Sequence, residues 1–93
     1  MTKSGLLEPS PDVVFTSLKS GEAVLLHIGK RKYYTLNVTA ARIWQLLSEG
    51  KQAEDIAVHL TNEFAVGHDR AAASVARLLT ELAEGGFLDE NSR

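Results

Sequence analysis

The stretch Arg31–Leu47, RKYYTLNVTAARIWQLL, constrains the fold most, because an aromatic strand there runs without a loop into an amphipathic helix. Tyr33, Tyr34 and Thr35 suit the pleated, half-buried surface of a strand. Asn37 or Thr39 can then cap a helix, since either side-chain oxygen satisfies an unpaired N–H of the first turn. Ala40, Ile43, Trp44 and Leu47 follow at the helical period. Strand and helix are too close in sequence to belong to separate cores. The chain before the junction reads as antiparallel β and the chain after it as helix.

Val13–Leu18 (VVFTSL) is apolar and β-branched enough for a strand, and Ser20-Gly21 supplies a turn. Glu22–Ile28 (EAVLLHI) makes a second strand, whose period of two turns Val24, Leu26 and Ile28 inward and leaves His27 at the surface. Gly29-Lys30 suits a tight type II′ hairpin, because glycine adopts the positive φ of its first central position. A third strand, 31–36, places Tyr34 and Leu36 inward. Downstream, Gly50 stops the first helix. A second helix over about residues 52–64 buries Ile56, Ala57, Leu60 and Phe64, and Val66-Gly67 breaks it. Asp69 is the expected N-cap of a third helix running to about Glu84 and closed by Gly85-Gly86. Phe87 and Leu88 fold back onto the core, and Asn91–Arg93 fray. The expected fold is α+β and winged-helix-like: a three-stranded antiparallel meander followed by three helices. Residues 1–12, polar and carrying Pro9 and Pro11, are expected as a flexible N-terminal tail, and residues 13–90 as the folded domain.

The third helix carries two apolar stripes. At roughly 100° per residue, Ala71, Val75, Leu78 and Leu82 form one, and Ala72, Ala76, Leu79 and Ala83 a second, about a quarter turn away. Arg70, Arg77, Glu81 and Glu84 lie opposite. The first stripe suffices to seat the helix. The second, mostly alanine, either receives another helix at close range or leaves a shallow lane open.

Composition narrows the function by exclusion. With 93 residues, 44% apolar and 24% charged, the chain has room for one core. A net charge of −2 argues against a partner held mainly through phosphates. The absence of cysteine rules out disulfides, a thiol nucleophile and thiolate metal sites. His27, His59 and His68 have no ligand spacing, and no nucleophile elbow, phosphate loop or carboxylate pair is present. No catalytic residue, metal ligand or cofactor is therefore expected. No apolar run could span a bilayer and the N-terminus lacks a signal core, so a cytoplasmic location without membrane attachment is expected. The polar ends read as natural termini rather than as cuts from a larger enzyme. Lys30-Arg31-Lys32 either attracts an acidic peptide segment or a phosphate backbone, or guards a strand edge against unwanted pairing. As a DNA-recognition helix the third helix is poorly equipped, with two arginines against Asp69, Glu81 and Glu84 and no lysine.

Tyr33-Tyr34-Thr35-Leu36-Asn37, then Ala40-Ala41, Ile43-Trp44 and Leu46-Leu47, together with the closing Leu78-Leu79, Leu82 and Gly86-Phe87-Leu88, resemble the signature of the PqqD-like proteins. The resemblance spans about residues 13–89. It implies a non-catalytic recognition element for ribosomally made, post-translationally modified peptides. Such an element binds the leader of a precursor peptide as an extra strand against the third strand, in the cleft beside the third helix. Carried over by position, the peptide-binding residues would be Tyr33, Tyr34 and Leu36 on one wall. Ala72, Val75, Ala76 and Leu79 would form the other, with Arg31 and Asp69 at the rim. The long N-terminal stretch and the GKRKYYTLN hairpin resemble the stand-alone recognition protein of lasso-peptide pathways, whose partner is a cysteine-protease leader peptidase. Two alternatives stand beside it: a peptide chaperone for a radical enzyme in quinone cofactor synthesis, and a winged-helix DNA-binding regulator. A homodimer through free strand edges is a structural third.

Overall fold

The computed structural model describes residues 6–91, in the order β1 (Leu6–Pro9), β2 (Val13–Ser17), β3 (Ala23–His27), β4 (Lys32–Leu36), α1 (Val38–Ser48), α2 (Ala53–Phe64), α3 (His68–Glu84) and β5 (Leu88–Asn91). The antiparallel meander β2-β3-β4 followed by three helices is the architecture the sequence predicts. A second, two-stranded sheet joins β1 to β5, with Leu6 opposite Asn91 and Pro9 opposite Leu88. Residues 6–9 and Asn91 thus form a strand pair in segments expected as tail and frayed end. Residues 1–5, 92 and 93 lie outside the described residues.

Register decides which face of each strand is inside. Tyr34 lies opposite Leu25 and Leu36 opposite Ala23, so these four share the inner face. Tyr33 lies opposite Leu26, and both point out. The inward set of β3 is therefore Ala23, Leu25 and His27, not Val24, Leu26 and Ile28; Leu26 and Ile28 are 44% and 59% exposed. The sequence of β3 is apolar on both faces, so its period could not choose between them, and the polar His27 pointed the wrong way. His27 is buried at 5% exposure because its Nδ1 accepts the Lys30 N–H at 3.2 Å and its ring meets Phe87 edge-on, 6.0 Å between centroids.

The β3–β4 turn also departs from expectation. It uses four residues, Ile28–Arg31, closed by the Arg31 N–H on the Ile28 carbonyl at 3.3 Å. Arg31 rather than Gly29 takes the left-handed conformation, with φ of 54°. A two-residue type II′ loop would need a positive φ at Gly29, which is not among the positive-φ glycines.

Asn37 settles the strand-to-helix junction. Its extended backbone ends the strand, and its side chain accepts the Ala40 N–H at 2.8 Å. Helix α1 then buries Ala41, Ile43, Trp44, Leu46 and Leu47, and stops at Gly50, whose φ of 95° no side chain adopts cheaply. Helix α2 buries Ile56, Ala57 and Leu60 and ends with Ala65 in the left-handed region. A bidentate ion pair from Arg42 to Glu63, at 2.8 and 2.9 Å, ties α2 to α1. Gly67, not Asp69, is the N-cap of α3; Asp69 sits inside the first turn, where its charge complements the helix dipole. Phe87 and Leu88 return to the core at 3% and 6% exposure, as expected. Among the described residues no helix is long and apolar enough to cross a membrane.

Candidate functional site

β4 is an edge strand. It pairs with β3 on one side, and among the described residues no strand pairs with the other. The bonds flanking the β2–β3 ladder show which backbone groups are left over. Leu18 N–H donates to the Glu22 carbonyl at 2.8 Å and Ile28 N–H to the Asp12 carbonyl at 3.0 Å. Antiparallel alternation then points the backbone groups of Val24 and Leu26 at β2, and those of Ala23, Leu25 and His27 at β4. Their partners Lys32, Tyr34 and Leu36 are consumed in that ladder. The N–H and C=O groups of Tyr33 and Thr35 face the open edge.

The inner face of β4 reaches α3 through Tyr34. The Tyr34 hydroxyl donates to the Glu81 carboxylate, tying β4 to the C-terminal half of α3, and the Tyr34 ring packs 5.9 Å from Phe87. That hydrogen bond, with burial and the nearby Glu81 charge, pushes the Tyr34 phenol above its usual range. Towards the other end of β4 a cavity of about 340 Å³ opens. Asn37, Thr39, Ala40 and Ile43 line it from the β4–α1 side, Leu60, Phe64 and Val66 from α2 and the loop after it, and Arg70, Ala71, Ser74, Arg77 and Leu78 from α3. The hollow begins at Asn37, the residue that follows the strand with the open edge. An extended chain added to that edge would find backbone hydrogen-bonding groups along the strand and a recess near its end.

The residues expected at the site divide into four groups. Arg31, Tyr33 and Tyr34 lie along or at the start of β4. Tyr33 points to the outer face at 71% exposure, whereas Tyr34 turns inward beside α3, and this separates the two tyrosines. Leu36, Val75 and Leu79 are core residues at 2%, 1% and 8% exposure. Ala72 and Ala76 line a different, smaller hollow with Ala53, Glu54, Ala57 and His68, on the α2 side of α3. The structure does not bring this alanine lane to β4; α2 lies beside it, the close-helix alternative that small residues permit. Asp69 is exposed in the first turn of α3, its Oδ1 4.0 Å from Nδ1 of His68.

Of the α3 residues that line the cavity, apolar periodicity singled out Ala71 and Leu78 but not Arg70, Ser74 or Arg77. One signal for these three was present. Arg70, Ser74 and Arg77 recur at the helical spacing on the flank away from the alanines, and a flank that no neighbour covers is expected to stay polar. Among the described residues no three His, Asp or Glu side chains gather as metal ligands.

The chain is similar to known proteins over most of its length. The family model for coenzyme PQQ synthesis protein D (PqqD) matches residues 22–88. The structure described as TbiB1 in complex with the TbiA(beta) leader peptide is similar, with a TM-score of 0.83 and 30% identity over 92% of this chain and 99% of that one. A lasso peptide synthetase B1 complexed with the leader peptide is similar with a TM-score of 0.81 and 33% identity, over 90% of this chain and 98% of that one. No curated protein matches the sequence.

Proposed function

The chain belongs to the PqqD family, and from that premise we propose that it is a non-catalytic adaptor of lasso-peptide biosynthesis, which captures the leader of a precursor peptide and delivers it to a leader peptidase of the cysteine-protease type. The carrying observation is the unpaired edge of β4 with the Tyr33 and Thr35 backbone groups directed outward. A leader segment adds there as a fourth strand. Its backbone bonds supply affinity that tolerates sequence, and its alternate side chains, reaching the groove beside α3, supply discrimination. Both similar structures contain bound leader peptides, which supports this reading over quinone cofactor synthesis.

In the proposed site, Tyr34 walls the groove, and Thr39, Ser74, Arg77 and Leu78 line its recess. Arg31 and Tyr33 sit at its margin. Leu36, Val75 and Leu79 contribute by holding β4 and α3 in place rather than by touching the peptide.

Thr35→Pro tests the reading. Proline removes the Thr35 N–H, one of the two that β4 points to the open edge, and leaves the β3–β4 ladder intact, so the fold should lose no more than about 1 kcal/mol. Titration with a labelled leader from the precursor encoded beside the chain's gene should show affinity reduced about tenfold or more, since the added strand loses a backbone bond and meets the ring. Unchanged affinity in a folded Thr35→Pro variant would rule out strand addition at β4.

A further inference from the structure

The recess at the Asn37 end of β4 has a chemistry that strand addition alone does not use. Its floor is apolar, formed by Ile43, Leu60, Phe64 and Leu78, and Arg70 and Arg77 stand on its α3 wall. Seven residues apart, the two arginines project within roughly 20° of each other on the helix. Among the described residues neither guanidinium has a salt-bridge partner, whereas Arg42 is paired with Glu63. Glu81, the acid one turn beyond Arg77, accepts the Tyr34 hydroxyl instead. Asn37 spends its side-chain oxygen on the cap of α1. Two unpaired cations thus remain at this wall, in a chain whose net charge is −2.

We infer that Arg70 and Arg77 make this recess a carboxylate-selecting subsite, so that the peptide bound along β4 carries an aspartate or glutamate opposite them. The inference rests on the β4 edge being the peptide site. A guanidinium offers a planar fork of donors that matches a carboxylate, and the apolar floor beside it takes the methylenes of the acidic side chain. The opposite end of the groove is fitted differently, with Glu81 on the α3 wall and Lys32 at the start of β4. A carboxylate therefore also fixes the register of a peptide whose backbone bonds alone could slide by two residues.

The probe is the fluorescein-labelled leader encoded beside the chain's gene, with each Asp and Glu replaced in turn by its amide. It is titrated against the wild type, Arg70→Gln, Arg77→Gln and the double variant at low salt and at about 0.5 M NaCl. Both positions are exposed, so thermal melts should coincide. One acid-to-amide change should weaken binding to the wild type about fivefold at low salt and have no effect on the double variant. The difference should shrink at high salt. A flat acid-to-amide series, or a loss that persists undiminished in the double variant, overturns the subsite while leaving the adaptor reading standing. Failure of the unaltered leader to bind the wild type overturns both.

Discussion

The two flanks of α3 differ in residue type and in what borders them. On one flank Ala72 and Ala76 face Ala53 and Ala57 of α2 around a small hollow of about 160 Å³. On the other, Arg70, Ser74, Arg77 and Leu78 border a cavity of about 340 Å³ at the end of an unpaired strand. Alanine there marks where a neighbour approaches closely, and polar residues mark where none does. The open side of a helix is identified by what fails to pack on it, not by how small its side chains are.

The largest expected effect separates support from contact. Leu79 belongs to the alanine stripe but is 8% exposed within the core. Leu79→Lys forces an ammonium group against that core and should cost about 3 kcal/mol, read as a lower denaturation midpoint. The fraction that stays folded should bind leader with wild-type affinity. A variant of unchanged stability and lost affinity would instead make Leu79 a wall of the peptide groove.

Filling each hollow sharpens the same contrast. Ser74 and Ala76 are both exposed and project roughly 160° apart on α3. Ser74→Phe places a ring in the recess beside β4 and should weaken leader binding about tenfold, or ~1.4 kcal/mol. Ala76→Phe crowds only the α2 side and should leave affinity within about twofold. Equal losses at the two positions would abolish the distinction between the flanks.

Much of this arrangement was legible in the sequence because local signals agreed with one another. Asn37 is a strand end and a cap at once, Gly50 needs a positive φ, and Phe87-Leu88 follow a glycine pair that ends α3. The family resemblance drew on Asn37 and Phe87-Leu88 among these. What escaped was set by pairing between distant segments. The inner face of β3 follows from Leu25 lying opposite Tyr34, and the strand pair β1–β5 joins two segments that each look like loose ends. The tie between β4 and α3 is the Tyr34–Glu81 bond, a contact spanning 47 residues that no periodicity encodes.

That bond supplies the smallest effect and the finest test of which flank meets β4. Tyr34→Phe keeps the ring against Phe87 and removes only the hydroxyl that Glu81 accepts. The bond lies near the surface, so about 1 kcal/mol of stability is at stake. The carboxylate, by accepting the hydrogen bond, raises the folded-state pKa of Tyr34 above the value of an unfolded tyrosine, with burial and charge acting in the same direction. The stabilisation is therefore fully present below the unfolded pKa and disappears as pH rises through the folded one. Denaturation midpoints of the wild type and Tyr34→Phe should differ by a constant amount from neutral pH to about pH 9 and converge above about pH 10. Glu81→Gln should make the wild-type curve lose most of that alkaline step. If the difference between wild type and Tyr34→Phe ignores pH, the hydroxyl does not bridge to Glu81. The Ser74–Arg77 flank would then lose its tie to β4.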